Sequence, residues 1–172
     1  MLEPTPHKRI ADAALSAQLL RGALGRFASG VTIASCRAGD GSRIGLTVNS
    51  FSALSLQPPL VLWSLRNVSP NLQAFLAAPH FAVNVLAEGQ IELSRRFASP
   101  VADKFAEGHW SDGIGGAPVL AGCAAVFECE RMSSQVAGDH VLFIGRVLAV
   151  SEAALTPLVF QSGHYRRLGG VL

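Results

Sequence analysis

Between residues 45 and 55 the chain gathers Thr47, Asn49, Ser50, Ser52 and Ser55 where a β-rich run leaves Gly45 and heads towards Pro58-Pro59. Hydroxyls, a carboxamide and backbone N–H groups released at a strand end converge there in a small volume. Such a set suits a ligand rich in oxygen acceptors: a phosphate, a polyol chain, the polar edge of a heterocycle. A polar β-turn whose side chains satisfy their own backbone has the same composition, so the segment alone leaves both readings open. His109-Trp110 with Asp112 offers metal-ligand types at no ligand spacing, so no metal site is expected and a loop packing Trp110 onto the protein body accounts for them. Cys36, His80 and His140 form no nucleophile–base signature.

The elements that must position these residues follow from hydrophobic periodicity. Residues 12–27 carry Leu15, Leu19, Leu20, Ala23, Leu24 and Phe27 at helical spacing, which predicts an amphipathic helix after a loose segment over 1–11. Short β-rich runs follow at 31–35, 44–49 and 60–65, the first two joined by a hairpin turn around Gly39-Asp40-Gly41. Ser69-Pro70 reads as a helix start, and that helix must end before Pro79. A strand at 81–86, a helix near 90–98 and an irregular surface excursion over 99–118 come next. Two longer strands, 124–132 and 141–150, complete the pattern, the first with Phe127 and Cys129 alternating against Glu128 and Glu130. Strands interrupted by short helices, without regular βαβ alternation, predict an α+β, mainly β, barrel. No GxGxxG follows a strand, which argues against a Rossmann nucleotide site.

Composition sets the frame. A chain of 172 residues with 49% hydrophobic and 15% charged residues reads as one globular domain spanning 1–172. That hydrophobic balance is high for a small monomer and predicts a homodimer with apolar surface buried between subunits. The net charge of +2 gives no electrostatic case for nucleic acid. Lys occurs only at Lys8 and Lys104, so the cations are mostly arginines, suited to bidentate contact with phosphates or carboxylates. The 3 cysteines, Cys36, Cys123 and Cys129, form no CxxC pair and read as buried thiols. Without a membrane-spanning apolar run or a cleavable leader, a cytoplasmic location is expected.

In order along the chain stand Phe27-Ala28-Ser29-Gly30-Val31-Thr32, Thr47-Val48-Asn49-Ser50-Phe51-Ser52-Ala53-Leu54-Ser55 with Pro58-Pro59-Leu60-Val61, Ser94-Arg95-Arg96-Phe97, and Asp103-Lys104-Phe105. Gly138-Asp139-His140 with Phe143, Gly145, Arg146 and Val147, and a terminal Gly163-His164-Tyr165-Arg166, continue the series. Together these resemble the flavin reductase family with the FMN-binding split barrel, over roughly residues 20–168. The resemblance implies a split β-barrel with short peripheral helices. It also implies an NAD(P)H:flavin oxidoreductase that uses NADH or NADPH to supply reduced FMN or FAD to a partner monooxygenase. In this reading Thr47, Val48, Asn49 and Ser50 line the flavin, and Ser64, Arg66 and Ser69 lie near its phosphate. Arg96 and Phe97, with Lys104, occupy the family's other flavin-contact segment. Val68 and Pro70 stand where related sequences often carry a hydroxyl or a base, which weakens the phosphate assignment beside them.

Flavin chemistry asks for orientation and access more than for an acid, a base or a nucleophile, so no acid–base residue is expected. His140, following Gly138-Asp139, is the candidate for orienting the nicotinamide, and Tyr165, the only tyrosine, for covering the site or the dimer seam. Two other readings share the same barrel: a flavoprotein that keeps its flavin and reduces another small molecule, and a non-catalytic flavin- or haem-binding protein.

Overall fold

The computed structural model describes residues 16–171. Helix α1 (Ala17–Leu24) begins on Ser16, whose hydroxyl accepts from Leu19 N at 3.2 Å, and ends at Gly25. It is shorter than its periodicity predicts; the proposed start at 12–15 and the loose segment 1–11 lie outside the described residues. No residue of α1 is buried, and Leu24 and Phe27 are exposed.

Seven strands form one antiparallel sheet: β2 (Thr32–Arg37), β3 (Arg43–Val48), β4 (Ser52–Leu56), β5 (Pro59–Arg66), β6 (His80–Val85), β9 (Ala125–Ala137) and β10 (His140–Glu152). Their order is β3-β2-β6-β9-β10-β5-β4. Three short strands, β1 (Ser29–Gly30), β11 (Val159–Gln161) and β12 (His164–Arg166), pair separately, as do β7 (Trp110–Asp112) and β8 (Pro118–Leu120). Helix α2 (Leu72–Ala77) fills the barrel interior with Leu72 and Phe75. Helix α3 (Ile91–Ala98) packs outside with Phe97.

Two apolar clusters explain the strand patterns. Inside the barrel, Trp63 stacks on Phe143 at 4.7 Å and meets the edge of Phe75 at 4.9 Å, among Ala34, Cys36, Phe81 and Cys129. Outside it, Val31, Ile33, Leu86, Phe97, Leu120 and Leu158 form the second cluster. Strand β2 is therefore buried on both faces, which is why its sequence shows no polar alternation. Asn84, fully buried on β6, ties this region together: its amide donates to Ile33 O and Ser35 Oγ, and its Oδ1 accepts from Leu120 N at 2.8 Å.

Several local expectations change. Strand β4 occupies part of the predicted bend; in Ser52-Ala53-Leu54-Ser55-Leu56 two apolar residues stand side by side and the register on β5 shifts between Ala53 and Ser55, so no regular alternation announces it. The excursion over 99–118 contains β7 and two short 3-10 turns and ends where β8, the partner of β7, begins. Strands β9 and β10 run beyond the predicted 132 and 141, because residues 132–137 are exposed and are held by their pairing alone.

All three cysteines are free and buried, and burial pushes each thiol up to about 12. Since the thiolate is the reactive form, iodoacetamide near about pH 8 should label none of them in the native protein and all of them after denaturation. Native labelling measured by mass spectrometry would contradict this placement.

Candidate functional site

Strand β3 is one edge of the sheet, and β5 stands next to the opposite edge. The sheet curls so that these meet: Ser50 Oγ donates to Ser64 O at 3.0 Å and accepts from Ser64 N at 2.9 Å. This staple leaves a split in the barrel. A cleft of about 440 Å³ opens along it.

One wall is Leu46 to Ser50, from the end of β3 and the bend after it. An edge strand leaves alternate backbone N–H and C=O groups unpaired, so this wall offers main-chain as well as side-chain partners. The facing wall is Ser64, Leu65 and Arg66 from β5, continued by Val68, Ser69 and Pro70. His140 closes one end, since the β10–β5 register sets it directly across from Arg66. Asn67 fixes that juxtaposition: its backbone N–H donates to Asp139 O at 2.9 Å and its amide to Gly138 O at 3.1 Å. Gly138 turns the hairpin with φ of 61°, a left-handed conformation that glycine adopts without strain.

Among the described residues, the side chains of Asn49 and Arg66 have no internal hydrogen-bond or ion-pair partner. Both are exposed to the cleft. Thr47 donates its hydroxyl to Ser94 O at 2.7 Å, and Ser69 Oγ accepts from Asn71 N at 3.3 Å. The α2 helix therefore starts on Asn71 rather than at Ser69, and the Ser69 oxygen supports the turn before it. His140 Nδ1 lies 2.8 Å from Asp139 Oδ1. The hydrogen bond from His140, its charge, and more weakly that of Arg66 hold the Asp139 carboxyl below its ordinary value. An ionised carboxylate can only accept, so Nδ1 carries the proton and Nε2 is the ring nitrogen free for a ligand.

Thus Thr47, Val48, Asn49, Ser50, Ser64, Arg66, Ser69 and His140 share one cleft. Tyr165 lies on the other side of β3, in a smaller apolar cavity of about 220 Å³ that shares Thr47 and Asn49 with the cleft. Its hydroxyl is 2.9 Å from Ser94 Oγ, and Arg95 stands over its ring at 5.7 Å.

Three residues of the expected set, Arg96, Phe97 and Lys104, do not line this cleft. Phe97 is 1% exposed, in the outer core against Phe105 and Trp110. It also explains Gly45, where a Cβ would approach Phe97 Cε1 to 2.7 Å. Arg96 spends its guanidinium on Lys104 O, Asp103 O and Glu107 Oε1, clamping the loop after α3. Lys104 lines a separate cavity. Leu46 and Leu65, apolar members of the lining, went unremarked because they look like ordinary strand residues.

Among the described residues no group of three or more His, Cys, Asp or Glu is placed to hold a metal, and no helix is long and apolar enough to cross a membrane.

The chain is 42% identical to the FMN reductase (NADH) SmoA of Agrobacterium fabrum over 147 residues, covering 86% of this chain and 83% of the relative. It is 38% identical to the flavin-dependent monooxygenase, reductase subunit HsaB, of Mycobacterium tuberculosis, covering 90% and 83%. The solved structure of the NADH:FAD oxidoreductase SgcE6 of Streptomyces globisporus C-1027 superposes with a TM-score of 0.87 at 33% identity, covering 98% of this chain and 96% of that one. Two curated Rhizobium meliloti relatives are longer, and the chain spans 47% and 64% of their length. The family model for the flavin reductase like domain matches residues 24–169, and with the split barrel and cleft described above this chain belongs to the flavin reductase family.

Proposed function

We propose that the chain is an NAD(P)H:flavin oxidoreductase whose cleft holds the flavin half of FMN or FAD and delivers the reduced flavin to a partner monooxygenase. The observation that carries this reading is the convergence of Asn49 and Arg66, both without internal partners among the described residues, with His140, oriented by Asp139, on one cleft. A flavin fits that donor set: an acceptor-rich edge for Asn49 and the free backbone of 47–50, and a phosphate for Arg66 with Ser64 and Ser69. A flavin held there would supply the redox chemistry, as a hydride acceptor for the nicotinamide. Donors on the 47–50 wall would stabilise the negative charge that accumulates on a flavin when it is reduced, which is the electrostatic task left to the protein. His140 Nε2 orients the nicotinamide carboxamide, and Tyr165 braces the back of β3 through Ser94 and Thr47. No side chain is asked to act as an acid or a base.

The relatives' names support the donor and the acceptors: NADH with FMN in one, NADH with FAD in another. The reductase subunit of a flavin-dependent monooxygenase supports the partner. A homodimer is inferred from α1, which exposes Leu19, Leu20, Leu24 and the following Phe27, and from Leu56 on edge strand β4, 94% exposed. The free thiols suit the reducing cytoplasm, and one domain is inferred for the whole chain.

Steady-state oxidation of NADH and NADPH with FMN and with FAD tests the assignment. Flavin-dependent consumption is expected with at least one pairing, and none with any pairing would overturn it. Substituting His140→Ala should raise KM for the nicotinamide roughly tenfold, the loss of about one hydrogen bond, while the flavin Kd stays within about twofold. Equal effects on both ligands would remove His140 from the nicotinamide side.

A further inference from the structure

Arg66 and Ser69 are the two ends of a tight turn: Ser69 N–H donates to Arg66 C=O at 3.0 Å, with Asn67 and Val68 between them. Ser69 C=O accepts from Leu72 N at 3.1 Å, and Leu72 is buried in the barrel core, so the Ser69 end is anchored. Both ends carry side chains placed above at the flavin phosphate. A phosphate gripped by Arg66 and Ser69 therefore spans the turn and holds it closed.

Asn67, inside that turn, is committed to a different element. Its N–H donates to Asp139 O at 2.9 Å and its amide to Gly138 O at 3.1 Å. Apart from strand pairing, these are the only hydrogen bonds from Gly138 and Asp139 to the rest of the fold among the described residues. The β9–β10 tip has little else to fix it, because residues 132–137 are exposed and held by pairing alone. The Asp139 side chain is 86% exposed, and its Oδ1 stands 2.8 Å from His140 Nδ1. The Asp139 main chain thus sets where the carboxylate stands, and the carboxylate sets the imidazole. One residue, Asn67, joins the phosphate turn to the histidine.

We propose that the Asn67 bridge couples the two ligands, so that a phosphate on the Arg66–Ser69 turn raises the affinity for the nicotinamide at His140, and a bound nicotinamide raises the affinity for the phosphate by the same factor. This coupling rests on the flavin and nicotinamide assignments above and adds regulation to them: the hydride donor is favoured once a phosphorylated flavin is seated. Asn67 touches neither ligand and is a positioning residue. The competing route is through space, since the charge of Arg66 also acts on Asp139, more weakly than His140 does.

FMN and riboflavin differ only in the phosphate, and NAD+ binds without turnover. Calorimetry with NAD+ is therefore run on protein saturated with each flavin, and flavin titrations are run with and without saturating NAD+. The wild type is expected to bind NAD+ about fivefold tighter with FMN than with riboflavin, and NAD+ to tighten FMN about fivefold more than riboflavin. In Asn67→Ala both ratios should fall within about twofold, with FMN alone also bound within about twofold of wild type; Asn67→Gln, which keeps an amide donor, should hold the ratios above that level. Circular dichroism checks that both variants fold.

A wild-type ratio within about twofold would overturn the coupling, and so would NAD+ binding more weakly with FMN, because the nucleotide's phosphates then compete for Arg66. A ratio that persists in Asn67→Ala would overturn Asn67 as its carrier. Its collapse there at about 0.5 M salt, where charges are screened within about 4 Å, would assign it to Arg66 instead. Failure of the underlying readings shows separately: a wild type that binds neither flavin refutes the flavin assignment before any nucleotide is added. Flavin binding with no NAD+ binding to either complex refutes the nicotinamide assignment and the coupling with it.

Discussion

Replacing Arg66 with alanine is expected to weaken FMN binding about tenfold while leaving riboflavin, which lacks the phosphate, within about twofold. Arg66 lines the cleft on β5, opposite His140 in register, and has no carboxylate partner among the described residues. A guanidinium free of internal ion pairs retains its full fork of donors for a ligand phosphate. Hydrogen bonds to charged groups contribute about 1.5–3 kcal/mol, and the solvent exposure of Arg66 places the loss towards the lower end of that range. Isothermal titration with the two flavins measures it. Equal losses for FMN and riboflavin would show that Arg66 shapes the cleft rather than holding the phosphate.

The largest effect on stability is expected at Asn84. Its side chain is fully buried and joins three parts of the fold: Ile33 O and Ser35 Oγ on β2, Pro118 O, and Leu120 N on β8. Leucine has nearly the same volume but none of these partners, so Asn84→Leu strands Leu120 N–H and Ile33 C=O away from water. Each orphaned buried group costs about 1–3 kcal/mol, so a loss of about 3 kcal/mol is expected, read as a lower midpoint of urea unfolding with little change in slope. An unchanged midpoint would mean that another group takes over the Leu120 and Ile33 partners.

What could be read from the sequence depended on whether a residue's role was local. Strands β5 and β6 and the start of β10 announce themselves by apolar runs, and the wall 47–50 by polar groups following such a run. Ser64, Arg66, Ser69 and His140 were recognisable through the family pattern, and the β5–β10 register with the Asn67 bridges brings them to one cleft. Strand β4 escaped because its short, exposed edge, with a register shift between Ala53 and Ser55, carries no regular alternation. The pairs β1–β11 and β11–β12 are too short for periodicity. Arg96 and Phe97 belong to the pattern but act behind the walls, one clamping the 103–107 loop and the other packing on Gly45. Arg37 and Arg43 flank an ordinary hairpin turn, and only the tertiary approach of residues 101–105 turns them towards a common cavity.

That wall residues meet at the seam of a split barrel also gives the substrate access. The Ser50–Ser64 staple closes the barrel while leaving the edge backbone of β3 facing the cleft. On the function proposed above, a flavin bound there would keep one face open to an incoming nicotinamide, the arrangement that hydride transfer requires.

In the proposed reaction a flavin held in the β3–β5 cleft would accept hydride from a nicotinamide met by His140. Anaerobic rapid mixing of the protein–FMN complex with NADH, followed by the flavin's visible absorbance, tests it most directly. Bleaching is expected at a rate that saturates with NADH, and a His140→Ala variant should need more NADH to reach the same maximum. A complex that binds FMN yet keeps its absorbance when mixed with either NADH or NADPH would contradict it.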